Sequence, residues 1–179
     1  KPAKIFKLKE LLKKLISEGE KVLIWSTHLK TIDLITKELS LEGINISKIT
    51  GKTKLKEREE IKDKFNDSSS NLDAIIAIPQ ACSESISLHK ACHHGIYYDM
   101  NYNTSEFLQS LDRIHRVGGS EKNPVFYYFL QYENSIDVKI YERVFEKANR
   151  QMQVIESDNL TFSHPEDEDW DNLYSDLNI

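Results

Sequence analysis

The chain has 179 residues, 39% of them apolar and 30% charged, which is room for one domain with a hydrophobic core and is ordinary for a soluble globular protein. No apolar run approaches the ~20 residues of a membrane-crossing helix, and the N-terminus has no signal-like apolar stretch. The two cysteines, Cys82 and Cys92, are too few for a disulfide framework. The opening Lys1-Pro2-Ala3 reads as an artificial boundary or the middle of a longer protein, and the expectation is a cytoplasmic (or nucleoid-associated) part of something larger, without a membrane partner.

A net charge of −5 does not announce a nucleic-acid binder, but the charge is unevenly placed. Residues 1–64 are rich in lysine, whereas 163–179 (SHPEDEDWDNLYSDLNI) is strongly acidic. The expected division is a folded domain over 1–155 and an acidic, flexible tail over 156–179.

In chain order, Ile5, Leu8, Leu11, Leu12, Leu15 and Ile16 recur at helical spacing, and Gly19 supplies a stop. Lys21–Ser26 (KVLIWS) reads as a short buried strand. A helix follows over Leu29–Leu41, ended by Gly43, and Ile44–Ile49 alternates like a strand. Leu55–Phe65 is a third helix with Ile61 and Phe65 inward, and 66–71 is a polar loop. Leu72–Ile78 and Gly95–Met100 read as strands, and Thr104 is expected to cap a helix reaching Val117. Pro124–Leu130 is a final strand, and Ile136–Val154 a long helix. Strands alternating with helices at this spacing predict an α/β fold with a mainly parallel sheet flanked by helices on both faces.

The segment most informative about chemistry is QSLDRIHRVGG, Gln109–Gly119. On a helix, Gln109, Arg113 and Arg116 share one face. Two guanidiniums side by side near a helix end suit a polyphosphate, whose oxygens they grip and whose developing charge they neutralise. Arginine pairs alone are more often a solvated, salt-bridged face. The order of the surrounding features tips the balance.

QSLDRIHRVGG resembles motif VI of the Swi/Snf-like ATPases, matching at Gln109, Arg113, Arg116 and Gly118 and departing at Gly119, where the family has glutamine. VLIWSTH, Val22–His28, is similar to motif IV. TGKTKLKEREEIKDKFND resembles the family stretch that here runs Gly51, Thr53, Arg58, Ile61, Phe65, Asn66. YDMNYNTSEFLQ resembles the segment leading into motif VI, matching at Asp99, Tyr102 and Asn103, and Glu133–Ala148 resembles the closing helix. The likeness covers residues 4–150 in the family's order. It implies a RecA-like three-layer α/β sandwich, the second lobe of a superfamily 2 DNA helicase, with 1–155 as the helicase C-terminal domain.

The resemblance further implies that Arg113 and Arg116 are catalytic and reach ATP bound on the first lobe, with Arg116 as the finger. Gln109, Arg113, Arg116 and Gly118 are the nucleotide-facing set. Ser26, Thr27, His28, Lys52, Thr53, Arg58, Ser83, Ser85 and Ser87 are the expected nucleic-acid contacts, made to the backbone of duplex DNA. ATP and Mg²⁺ would be held mainly by a first lobe outside this chain, which alone would not hydrolyse ATP. The segment in the place of motif V departs from the family. A glycine-rich turn is replaced by Cys82, Ser83, Glu84, Ser85, Ile86, Ser87 and Leu88, in which serines can still donate to phosphate but Glu84 repels it. The rival reading is therefore a non-catalytic helicase-like module that binds DNA or protein.

Three other signals carry less. Gly51-Lys52-Thr53 mimics the end of a P-loop, but the position five before Gly51 is Ile46, and no strand-to-helix cradle is expected there. Cys82, His89, Cys92, His93 and His94 lack a paired Cys-x-x-Cys element, so buried thiols and surface imidazoles are expected rather than a metal site. Tyr97, Tyr98, Tyr127, Tyr128 and Phe129 fall on expected strands and read as core rather than base-stacking platforms.

Overall fold

The computed structural model describes residues 2–82, 87–115 and 124–154. The element order is α1 (Ala3–Ser17), β1 (Lys21–Trp25), α2 (Leu29–Ser40), β2 (Ile46–Ile49), α3 (Leu55–Asn66) and β3 (Ala74–Ala77). A short 3-10 turn over Pro79–Cys82 follows, then β4 (Cys92–Tyr97), α4 (Thr104–Leu111), β5 (Phe126–Phe129) and α5 (Ile136–Val154). The strands form one sheet in the order β2-β3-β1-β4-β5, and every pairing in it is parallel.

The sheet is covered on both faces, and alternation along each strand decides which side chain goes where. Val22, Ile24, Ala74, Ile76, Ile96 and Tyr98 pack against Leu8 and Leu12 of α1 and Ile32, Ile35 and Leu39 of α2. Leu23, Trp25, Ile75, Ala77 and Tyr97 face the other way, onto Phe65 of α3, Phe107 and Leu111 of α4 and Val144 and Phe145 of α5. Each fully buried Leu or Ile contributes on the order of 1.5–3 kcal/mol, so these two layers dominate the stability. Gly19 adopts φ 86° and closes α1 with a Gly19 N–H to Ile16 bond and a Glu20 N–H to Leu15 bond, each 3.0 Å. Gly95 leaves no room for a side chain: a Cβ there would lie 3.0 Å from Ile114 Cδ1 and from Tyr127 Cδ1.

Four expectations need correction here. β4 begins at Cys92, three residues before the expected Gly95, because the polar pair His93 and His94 disguises its first half. His94 is buried rather than a surface imidazole, stacked on Phe126 and Tyr128 of the edge strand β5. α4 is capped by Asn103, not Thr104, and ends at Leu111 instead of continuing toward Val117. The Asn103 carboxamide accepts the Glu106 N–H at 3.3 Å, while the Thr104 hydroxyl is buried with no partner among the described residues.

Tyr97 and Tyr98 are core residues, as expected, and Tyr97 stacks on Phe129 with ring centroids 4.9 Å apart. Both thiols are buried, and desolvation pushes each up to about 12.

Candidate functional site

In an all-parallel sheet the loops that follow the strands emerge at one edge, the carboxyl edge. β1 hands the chain to α2 on one side and β4 hands it to α4 on the other, so a crevice opens between their ends. Four segments meet along this edge. They are Ser26–His28 after β1, Thr50–Thr53 after β2, Pro79–Cys82 after β3 and Asp99–Asn103 after β4.

Ser26 and Thr27 do not offer their hydroxyls to an outside ligand. Ser26 is fully buried and its Oγ donates to Asp99 Oδ2 at 2.7 Å. Thr27 donates to Asp99 Oδ1 through both its N–H and its Oγ1, each at 2.6 Å. These charge-assisted bonds lock the β1 exit to the β4 exit. His28, next along, is exposed.

After β2, Thr53 closes a tight turn: its Oγ1 accepts the Thr50 N–H at 3.0 Å and its own N–H reaches the Thr50 carbonyl at 3.0 Å. Lys52 at the tip is exposed. The turn joins β2 to α3, the strand and helix expected there, and it is only a few residues long, without the glycine-rich cradle of a phosphate loop.

Arg58 also departs from its expected role. Its guanidinium donates to three main-chain carbonyls: Thr53 at 2.9 Å, Ala81 at 2.5 Å and Thr50 at 3.2 Å. The side chain is therefore a staple joining the β2 turn to the segment after β3. At the far end of α3, Asn66 Nδ2 donates to the Ser87 carbonyl at 3.2 Å, and Ser87 Oγ meets His89 Nδ1 at 2.6 Å.

Gln109 is exposed on α4, whereas Arg113 lies in the turn just beyond it and is half-buried. Its Nε donates to the Gln109 carbonyl at 3.1 Å, and its own carbonyl accepts the Leu88 N–H at 2.8 Å. Burial pushes the Cys82 thiol up, and the charges of Arg113 and Arg58 offset part of that shift. Arg116, Gly118, Ser83 and Ser85 lie outside the described residues.

Sequence reasoning missed a carboxylate cluster. Glu106 of α4 accepts from Gln80 Nε2 at 2.6 Å, Asn103 Nδ2 at 2.5 Å and Asn101 Nδ2 at 3.0 Å. The signal was present: Asn103-Thr104-Ser105-Glu106 has the spacing of a capping box. A shallow cleft lined by Thr27, Pro79, Asp99, Met100 and Glu106 lies between the Asp99 and Glu106 clusters.

Comparison with known proteins agrees with this geometry. Residues 3–118 match the helicase conserved C-terminal domain family. The ATP-dependent DNA helicase DDM1 of Arabidopsis thaliana is 34% identical over 149 residues, covering 83% of this chain and 19% of that protein. The ISWI chromatin-remodeling complex ATPase ISW1 of Saccharomyces cerevisiae is 30% identical, covering 92% of this chain and 14% of its own length. The crystal structure of the C-terminal part of the Fun30 ATPase domain superposes with a TM-score of 0.72 at 30% identity, covering 80% of this chain and 45% of that one.

The chain thus spans less than a fifth of these full-length relatives. No helix among the described residues is long and apolar enough to cross a membrane. The expected cytoplasmic or nucleoid setting is overturned by relatives such as ISW1, a chromatin-remodeling complex ATPase, because chromatin is nuclear. The chain belongs to the helicase conserved C-terminal domain family, as the second RecA-like lobe of a superfamily 2 ATPase of the Swi/Snf-like group.

Proposed function

We propose that this lobe is half of an ATP-dependent motor that translocates on or remodels duplex DNA, and that it is inactive as an ATPase without its N-terminal partner lobe. The observation that carries the reading is the bond between Leu88 and Arg113, at 2.8 Å. It ties the segment in the place of motif V, which would face DNA, to the arginine turn that would face ATP.

Arg116 is the proposed finger, stabilising charge on the transferring γ-phosphoryl, with Arg113, Gln109 and Gly118 completing the nucleotide-facing set. An exposed Gln109 and a half-buried Arg113 are donors of the kind a polyphosphate needs. Mg²⁺ falls to the first lobe. His28, Lys52, Thr53 and the serines Ser83, Ser85 and Ser87 are the proposed DNA-backbone contacts, while Ser26 and Arg58 act by holding the loops that carry them. Residues 156–179 are proposed as a solvated acidic tail on a domain ending at 155.

The test is DNA-stimulated ATPase activity of the intact parent protein. Robust turnover that Arg116→Ala lowers by about a thousandfold, with nucleotide still bound, supports the motor. The altered motif V segment, with Glu84 where a phosphate would approach, favours one rival, a helicase-shaped binding module. Absence of turnover with every duplex and single strand would establish that rival instead.

A further inference from the structure

We propose that Glu106 is a positioning residue that couples DNA engagement at the carboxyl edge to the arginine turn beyond α4. The proposal rests on the motor reading above and adds a residue to it.

A glutamate at the third position of a helix ordinarily reaches back to the N–H of the capping residue. Here that N–H, from Asn103, is taken by Asn101 Oδ1 at 3.0 Å. The Glu106 carboxylate is turned instead toward Gln80, which lies 26 residues earlier in the chain and follows β3. With Asn101 and Asn103 it accepts three amide donors. Such a set orients the carboxylate toward Gln80, since bonds to an ionised acceptor are the strong ones.

Two described stretches that follow β3, residues 79–82 and 87–88, are therefore attached at opposite ends of α4. Gln80 holds the N-terminal end through Glu106, and Leu88 holds the C-terminal end through the Arg113 carbonyl. In the turn that follows α4, the Arg113 N–H bonds the Ser110 carbonyl at 3.3 Å, which ties Arg113 back to the helix. Near the C-terminal end of α4, Ser110 Oγ meets the buried Tyr97 hydroxyl at 2.5 Å, which seats the helix on the sheet. α4 is eight residues, about two turns, and too short to bend. A displacement of the segment at Gln80 is thus delivered to Arg113 as a tilt of one rigid rod. Ala81 and Cys82 also pack in one cluster with Phe107 and Leu111 of α4, so the Glu106 bond is the polar tie that sets how closely the stretch at Gln80 and α4 move together.

Coupling of this kind requires a measurement of coupling, because adjacency alone does not establish it. In the intact parent protein, hydrogen exchange is followed with and without a short duplex, for the unsubstituted chain and for Glu106→Ala, Glu106→Gln, Gln80→Ala and the double variant Q80A/E106A. Duplex is expected to slow exchange both around residues 79–82 and across 104–115. In E106A and Q80A the first effect persists, while protection over 104–115 falls about tenfold. The double variant is expected to be no worse than either single one. E106Q, which keeps one acceptor oxygen, is expected to lie between. In parallel, the ratio of DNA-stimulated to basal ATP turnover should fall about tenfold, with the DNA concentration for half-maximal stimulation unchanged within about twofold.

Full protection of 104–115 in E106A, or no protection of 79–82 by duplex in the unsubstituted protein, overturns the coupling. A parent protein that shows the exchange pattern but never hydrolyses ATP overturns the motor reading and leaves the coupling standing. A lower melting temperature in E106A with the exchange pattern intact assigns Glu106 a structural role only and overturns the proposal.

Discussion

Thr27 and Asp99, 72 residues apart in sequence, are joined twice: the N–H and the hydroxyl of Thr27 both donate to one carboxylate oxygen, at 2.6 Å each. The second oxygen takes the buried Ser26 hydroxyl. Removing this acceptor strands a buried donor, which costs more than the bonds themselves contribute. Asp99→Ala is expected to lower stability by about 2–3 kcal/mol in chemical denaturation. Asp99→Asn, keeping one acceptor oxygen, should lose less.

Arg58 and Lys52 sit a few residues apart yet should behave oppositely. Arg58→Ala removes three bonds to carbonyls and is expected to cost about 2 kcal/mol of stability. Lys52→Ala should leave the melting temperature unchanged. In the intact protein it should lower the slope of log binding constant against log salt by about one. If Arg58→Ala melts like the unsubstituted protein and instead shifts the salt slope, the staple assignment is wrong.

Lys4 anchors the start of α1 to α5. Its ammonium lies 2.7 Å from Asp137 and 3.2 Å from the Tyr98 carbonyl, over the ring of Tyr132, and the side chain is 7% exposed. Lys4→Met leaves Asp137 without its cation and is expected to cost about 3 kcal/mol. The double variant K4M/D137L should recover most of that loss, measured by urea melts.

The network of Lys9, Lys13, Glu42 and the buried Glu38 predicts an acid limb. Hydrogen bonds from Lys13 and Lys9 hold the Glu42 carboxyl down at about 2. A depressed carboxyl adds stability above its ordinary value near 4.5, and that contribution is lost as pH falls toward about 2. Melting temperature followed from pH 5 down to about 2 should fall less steeply in Glu42→Gln than in the unsubstituted chain.

Cys82 and Cys92 should resist thiol reagents. Burial pushes both thiols up to about 12, so almost no thiolate exists at pH 8 and access is closed. Labelling with a chromogenic disulfide is expected only at the rate of unfolding, with both thiols reacting fully in denaturant. Rapid labelling of either in native protein would contradict the core placement.

Much of the fold was legible from periodicity alone. The apolar stripes of α1, α2 and α3 and the continuous runs of β1, β3 and β5 carry their own signal, because burial on one face or on both imposes a period. Motif order identified the lobe, since Gln109, Arg113, Thr53, Arg58 and Asp99 recur in the family's sequence. Tertiary structure decided which of these residues are available to a ligand. Sequence proximity does not reveal that Ser26 and Thr27 are consumed by Asp99, or that Arg58 spends its donors on Thr50, Thr53 and Ala81. Those partners arrive only when the carboxyl ends of parallel strands come together. The start of β4 was hidden for a similar reason: His93 and His94 look like surface residues until β5 covers His94 with Phe126 and Tyr128. Local pattern fixes which elements form, because it is set by neighbours in the chain. Long-range pairing fixes what each polar side chain does, because a hydrogen bond belongs to whichever acceptor the fold brings within reach.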